Sequence, residues 1–584
     1  MLWVFKLENN LVTWFVLTVS LGFHAMSFGQ QSSIPTMEYQ SPVTLTFSDF
    51  GSTLQQVESH FASAINQEAA CNECCVDIYY QAAIMSWPLM ESDLIHSGEM
   101  SGRAAQIYQY ALQQLIKTGQ KYHRFDPRQG LHVNQPGGEA FIPVVYRGFT
   151  RKASDFDCLI PENSSGSSEL KTIYRCEGLG VTNVVRHRRL PDECFRREQQ
   201  LFIATMVLRP GEGDRGSVAE SFVIEILNPY RVKDTYVAGR PIKIARDLSA
   251  AYVYLLENRD KKNPLEAFIH PGGTKAGSEL FMLEPYQPGK IPLVFVHGLL
   301  SEPFTWANMA NELQARPELM ERYQIWGFKY GTGEPFLRSA ADFREQLVQI
   351  QATMDPHGND PAFSQMVLVG HSMGGLLSKL QITESGDALW RSVSNRPIAD
   401  IVADEEVKSQ LTRLFYFNPS PSVARVIYMG TPHRGSPWAR RPIGRFGAKL
   451  VEEPSANEEV HQTVVNNNPN TFSRELEKRI PTSIDLLRAD SGLLLAIDGL
   501  CVPEHIKQNS IIGNYRCMIG AGKSDTIVPV SSAIRPGAES ELMVHAKHTE
   551  IHSQQDAIEE TVRILWQHAC DHSSTILNSR PGKF

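Results

Sequence analysis

The sequence has no excess of positive charge: 56 Lys and Arg stand against 64 Asp and Glu, a formal net charge of −8. Nucleic-acid surfaces are normally basic. The one short basic run, Arg186-His187-Arg188-Arg189, reads as a solvated surface segment. No nucleic acid is therefore expected among the partners. Low-complexity tracts are also absent, and no repeat recurs at a fixed period. Past the first thirty residues no run is long and apolar enough for a membrane helix. What remains is 584 residues, 42% hydrophobic and 21% charged. That is a globular composition too long for one core, so two or three domains are expected.

Metal-ligand spacing is incomplete. Cys71-x-x-Cys74-Cys75 supplies half the ligands of a zinc site, with no matching Cys or His pair nearby. A structural or disulfide role is the expectation, and no metal or organic cofactor is implied.

The first residues have the composition of an export signal. Lys6 supplies positive charge, Leu11 to Phe23 is mostly apolar but short for a bilayer, and small residues follow at Ser27 and Gly29. Residues 1–29 are expected to be a signal peptide cleaved near Gly29–Gln30, with an uncleaved anchor as the alternative. The protein is then expected to be exported: periplasmic, secreted or N-terminally membrane-anchored. Nine cysteines in an oxidising compartment would leave at least one unpaired. Closeness in sequence suggests Cys501 with Cys517 and Cys176 with Cys194.

Residues 40–135 read as helical. From Arg103 to Lys117, Ala104, Ile107, Tyr108, Ala111, Leu112 and Leu115 share one face at helical spacing. Residues 136–288 change to short apolar or alternating runs, Phe141–Tyr146, Leu201–Leu208, Ser221–Leu227 and Ala251–Leu256, separated by Gly/Pro turns. They suggest a β-rich module. Pro288-Gly289 marks a linker, and from Ile291 to about residue 572 strands alternate with helices. Candidate strands are Leu293–Val296, Gln324–Phe328, Met366–Val369, Arg425–Met429, Arg516–Ile519 and Leu542–Val544. Such alternation implies a mostly parallel, doubly wound sheet with reactive residues beyond the carboxyl ends of its strands.

The stretch Val367-Leu368-Val369-Gly370-His371-Ser372-Met373-Gly374-Gly375 joins an apolar strand to a helix through G-x-S-x-G. A nucleophilic serine needs that tight strand-to-helix turn, and Gly370 and Gly374 remove side chains that would collide in it. A serine hydroxyl also needs a base. Asp525 follows a late candidate strand, and His548 and His552 follow the last one; His548, nearest the strand end, is preferred as base and Asp525 as its orienting acid. Backbone N–H groups of Met373 and of Leu299, in Phe295-Val296-His297-Gly298-Leu299-Leu300, are candidates for an oxyanion hole. His297 reads as a loop-stabilising residue. Gly520-Ala521-Gly522-Lys523-Ser524 lacks the first glycine of a P-loop, because Cys517 stands there.

From about Ile291 to Cys570 the chain resembles an α/β-hydrolase of the lipase/esterase type. The resemblance rests on His297-Gly298-Leu299, Gly370-His371-Ser372-Met373-Gly374-Gly375, Gly430-Thr431-Pro432-His433-Arg434-Gly435-Ser436, Ser524-Asp525-Thr526-Ile527-Val528-Pro529 and His548. It implies that Ser372, Asp525 and His548 correspond to the triad and Leu299 and Met373 to the oxyanion donors, with His433 beside the site. Together with the export signal it implies an exported serine hydrolase acting on carboxylic esters of an acyl or lipid substrate, and peripheral membrane or envelope association is one option left open. Rival readings are an amidase, thioesterase or acyltransferase on the same fold, or a non-catalytic binding protein. The insertion at about 434–511 is expected to cap the pocket or decorate the surface.

Overall fold

Helical spacing and burial agree at the N-terminal side of the molecule. In the computed structural model, which describes residues 50–97, 102–162, 169–211, 222–258, 277–440, 455–518 and 522–579, three helices come first: α1 (Phe50–Ala69), α2 (Cys75–Ser97) and α3 (Arg103–Lys121). The expected signal segment 1–29 lies outside the described residues. All six residues expected on one face of α3 are buried. That face packs on a seven-stranded sheet through a shared apolar core containing Tyr79, Ile107, Leu112, Val185, Met206 and Ile226. The Tyr108 hydroxyl pins helix to sheet: it donates to Leu208 O at 2.8 Å and accepts from Leu208 N at 3.0 Å.

The strands of this sheet are β1 (Phe125–Asp126), β2 (Gly130–Gln135), β3 (Gly138–Arg147), β4 (Cys158–Pro161), β5 (Val181–Arg188), β6 (Gln199–Pro210) and β7 (Phe222–Leu227). Their order is β1-β2-β3-β7-β6-β5-β4. Two expectations need correcting here. The helical region does not reach residue 135, because β1 and β2 already belong to the sheet. Leu131 and Val133 are buried around exposed His132, a period of two rather than 3.6. The run Ala251–Leu256 is not a strand but part of α4 (Ala250–Asn258). Its buried Tyr252, Val253 and Leu256 face the core of the following sheet, and so short an apolar run satisfies either periodicity.

The second sheet has the order β8-β10-β9-β11-β12-β13-β14. Its strands are β8 (Glu279–Met282), β9 (Ile291–Val296), β10 (Tyr323–Lys329), β11 (Met366–His371), β12 (Val423–Met429), β13 (Lys507–Gly513) and β14 (Ser540–Val544). Only β8 is antiparallel, on β10; the other pairs are parallel. Every residue of β9 and β11 is buried, as in a sheet covered on both faces. Apolar clusters lie on either side of it. The helices that matter below are α5 (Ala307–Gln314), α6 (Phe336–Met354), α7 (Met373–Lys379), α8 (Ala388–Val393), α9 (Glu405–Phe415), α10 (Ser455–Asn467), α11 (Gly492–Gly499) and α12 (Gln555–Ser579). This is the doubly wound architecture expected of an α/β-hydrolase, preceded by the helical segment and the β-rich module. Among the described residues no helix is long and apolar enough to cross a membrane.

Further boundaries differ from the sequence reading. The sheet begins at β8, before Pro288-Gly289, so the segment taken as the end of the β-rich module supplies its edge strand. The strand before the acid is Lys507–Gly513, not Arg516–Ile519; Arg516–Met518 instead forms a short hairpin with Gly522–Ser524. Gln508-Asn509-Ser510 disguised β13 as a loop. Two of these polar side chains are buried against partners: Arg425 Nη1 donates to Asn509 Oδ1 at 2.7 Å, and Tyr428 OH and Arg535 Nε donate to Gln508 Oε1. The proposed cysteine pairs are not formed: Cys176, Cys194, Cys501 and Cys517 are in no disulfide, since nearness in sequence does not bring sulfur atoms together.

Candidate active site

The chain runs from β9 to β10 on one side, then returns to place β11 on the other. The topological switch point, where doubly wound sheets hold their ligands, therefore lies between the carboxyl ends of β9 and β11. The first end carries His297-Gly298-Leu299 and the second Ser372.

Ser372 sits at φ 53° and ψ −123°, a backbone conformation that L-residues avoid. The surrounding glycines show how the turn closes. A Cβ on Gly370 would stand 2.6 Å from Gly374 O and the Gly375 backbone, and one on Gly374 would stand 2.3 Å from Val296 O and His297 O. A Cβ on Gly298 would meet Ser372 Cβ at 3.0 Å, so the loop after β9 lies directly against the serine.

The other two expected residues meet Ser372 in one hydrogen-bonded line. Ser372 Oγ is 2.8 Å from His548 Nε2, and His548 Nδ1 is 2.6 Å from Asp525 Oδ2. Relative exposures are 7% for Ser372, 5% for His548 and 1% for Asp525, so water competes little for these bonds. Asp525 is itself oriented, its Oδ1 accepting the N–H groups of Ile527 at 2.9 Å and Val528 at 2.6 Å. Gly430 and Gly513, at the ends of β12 and β13, leave room for the pair: a Cβ on Gly513 would be 2.5 Å from Asp525 Cβ, and one on Gly430 3.3 Å from His548 Nδ1. Gly513 was not singled out in the sequence; its signal is a glycine directly ending a buried strand.

His552 and His545, the other two histidines between β14 and α12, bond elsewhere. His552 Nε2 bonds Thr305 Oγ1 at 2.8 Å, and exposed His545 bonds Asn514 O. His297 stacks on Tyr330 with ring centroids 4.3 Å apart and bonds Gly298 O through Nδ1, the loop-stabilising place expected of it. Burial pushes the pKa of His297 down to about 4, and burial with the neighbouring charges of His548 and Lys171 does the same for His552. His371, whose Nε2 bonds His548 O at 2.9 Å, is pushed well below the ordinary histidine value, mainly by burial. His548 therefore stands among neutral imidazoles. His433 is fully buried, with its ring edge-on to Tyr428 at 4.7 Å between centroids.

Met373 N–H opens helix α7, where first-turn amides have no intrahelical acceptor. Neither it nor Leu299 N–H donates to an acceptor among the described residues. Asp155, His187 and Glu193 are the one cluster with metal-like spacing among those residues. Arg196 pairs with both carboxylates and Arg151 with Asp155, so the cluster carries its own counter-ions.

The insertion leads from the loop after β12 to β13, which starts at Lys507, earlier than expected. Its helices α10 and α11, with α8 and α9, enclose a cavity of about 680 Å³ lined by apolar residues including Trp390, Leu411, Phe415, Val464, Phe472 and Leu493. Ser372 is not among its lining residues.

Residues 293–563 match the model of the alpha/beta hydrolase family. Among solved structures, the chain is similar to the mature lipase BlEst2 of Bacillus licheniformis, at 18% identity over 49% of this chain and 97% of the other, with a TM-score of 0.30. It is also similar to lipase 1 of Pelosinus fermentans, at 13% identity over 48% and 99%, TM-score 0.31. A third is an esterase of Thermogutta terrifontis, at 13% identity over 50% and 88%, TM-score 0.27. None of the curated proteins matches the sequence.

Proposed function

We propose that this chain, whose residues 293–563 form an alpha/beta-hydrolase domain, is an exported serine hydrolase that cleaves carboxylic esters of an acyl or lipid substrate. The observation that carries the reading is the continuous line Ser372 Oγ–His548 Nε2, His548 Nδ1–Asp525 Oδ2, in a buried site at the switch point of the sheet.

Ser372 Oγ attacks the ester carbon while His548 Nε2 takes its proton. Asp525 holds the imidazole in the Nδ1–H tautomer and stabilises the imidazolium that forms. The carbonyl oxygen, now an oxyanion, accepts from Leu299 N–H and Met373 N–H. His548 returns the proton to the leaving alcohol as the C–O bond breaks, giving the acyl-enzyme. Water, deprotonated by His548, then releases the acid and restores Ser372. Every step uses side chains and backbone of this domain alone.

The acyl preference rests on the resemblance to lipases and esterases, and export on the composition of residues 1–29. Both follow from the sequence. Fluorophosphonate labelling tests the reading: wild type is expected to be labelled and Ser372→Ala not. Failure of well-folded wild type to label would reject the hydrolase. Turnover of matched ester, amide and thioester substrates is expected to be fastest for the ester; a faster amide or thioester would reassign the bond. Sequencing the N-terminus of protein recovered from the culture fluid or cell envelope tests export.

A further inference from the structure

His548 opens a short 3₁₀ turn, His548–Ser553, and the position of its ring depends on what holds that turn. Three attachments come from the hydrolase domain. His548 N–H donates to Asp525 O at 2.7 Å, His371 Nε2 bonds His548 O, and His552 bonds Thr305. The far end of the turn is held from elsewhere. Ser553 O accepts a hydrogen bond of 2.7 Å from Lys171 Nζ, which lies 382 residues earlier in the chain, between β4 and β5.

The segment carrying Lys171 is fastened along α5 as well. Lys171 N–H donates to Asn308 Oδ1 at 2.9 Å, and Asn308 Nδ2 donates back to Glu169 O at 3.0 Å. Asn311 Nδ2 donates to Thr172 O at 2.9 Å, and Tyr174 OH to Glu312 Oε2 at 2.6 Å. Leu170 is buried in the same apolar cluster as Trp306 and Ile551. Helix α5 follows the loop that carries Leu299, and Thr305 just before it bonds His552. Residues 169–174 thus touch both the helix after the oxyanion loop and the turn that presents the base. A second contact reaches the same loop: the Arg197 guanidinium lies 5.1 Å from the Phe281 ring and 5.4 Å from the Phe304 ring, within cation–π range.

We propose that residues 169–174 form a strap by which the N-terminal half of the chain sets the position of His548, with Lys171 a positioning residue. The proposal rests on the reading of His548 as general base. The strap makes the β-rich module part of the catalytic scaffold rather than an appended domain. Small displacements of a catalytic group cost far more in rate than in stability. Because Lys171 is itself exposed, losing its ammonium should be felt in turnover and barely in folding.

The test compares full-length wild type, Lys171→Met and Lys171→Arg. Lys171→Met is expected to lower kcat about 10-fold with KM within about twofold, and Lys171→Arg to restore most of it. Hydrogen–deuterium exchange is expected to rise in residues 548–553 of Lys171→Met and to stay unchanged across the parallel strands. An unchanged kcat, unchanged exchange in 548–553, or a loss shared by both variants with exchange raised across the whole sheet would overturn the strap. Exchange judges the contact even if wild type fails to react with a fluorophosphonate, so a failed hydrolase reading and a failed strap give different results.

Discussion

Asp525 and His548 are joined twice. The side chains meet at 2.6 Å, and the His548 N–H donates to Asp525 O at 2.7 Å. The backbone bond fixes where the imidazole starts, and the carboxylate fixes which nitrogen carries the proton. Asp525→Asn keeps the backbone bond and the shape but offers an amide that can stabilise the wrong tautomer. Its kcat on a short-chain ester is expected to fall about 10⁴-fold with little change in thermal midpoint. A loss below about tenfold would deny Asp525 the orienting role.

Gly430 gives a second handle on the same pair. Its φ is +56°, and an added Cβ would lie 2.7 Å from Ile551 Cδ1, 3.2 Å from Asp525 Oδ2 and 3.3 Å from His548 Nδ1. The Ile551 tip can move; the Asp525 carboxylate and His548 ring cannot without loosening their contact. Gly430→Ala is expected to cost about 1–2 kcal/mol of stability from the left-handed backbone. It is also expected to lower kcat at least about tenfold through the displaced pair. Urea denaturation and turnover on the same preparation separate the two effects, and unchanged turnover would show that the pair absorbs the methyl.

The parts legible in the sequence are those whose physics is local. The serine turn is written in nine consecutive residues, because strand, glycines and helix must follow one another there. Of the two candidate histidines, the one nearer the end of β14, His548, is the one that meets Ser372 and Asp525, while His552 bonds Thr305. The buried face of α3 was readable from spacing alone. Features that depend on distant partners were not. Gln508-Asn509-Ser510 looks like a loop until Arg425, Tyr428 and Arg535 are seen beside it. Ala251–Leu256 satisfies strand and helix equally, and burial against the second sheet decides for helix. Lys171 is an ordinary surface lysine until a carbonyl 382 residues away is placed on it.

Cysteine chemistry offers a test at individual positions. Cys71, Cys194, Cys501 and Cys517 are exposed and form no disulfide, whereas Cys75 is buried. Burial also raises the Cys75 thiol pKa, which slows alkylation further. Iodoacetamide applied to native protein without reductant is expected to modify these four residues and to spare Cys75 until denaturant is added. Peptide mass spectrometry reads each site. A disulfide-linked peptide joining Cys501 to Cys517 or Cys176 to Cys194 would contradict the arrangement of the thiols.

Lys379 closes α7, the helix that begins beside Ser372, and its side chain is 0% exposed. Its ammonium donates to the main-chain O of Asp498 at 3.2 Å and lies 3.5 Å from the Asp498 carboxylate, which Arg434 and Arg535 also crowd, at 3.1 and 3.4 Å. Burial first, and Arg535 next, push the lysine down to about 7 from the ordinary 10.5. Between those two pH values the unfolded chain holds a proton that the folded chain has released, so this group makes stability rise with pH across that window. Below about pH 7 both states are protonated and the full cost of burying the charge remains. Lys379→Met removes that cost and leaves Asp498 its two arginines. The variant is expected to be more stable than wild type at pH 6, by on the order of a few kcal/mol. The advantage should shrink steadily as pH rises from 7 towards 10. Urea midpoints of both proteins at pH 6, 8 and 9.5 decide it: parallel curves would mean that Lys379 keeps its proton in the fold, held by Asp498 against the two arginines.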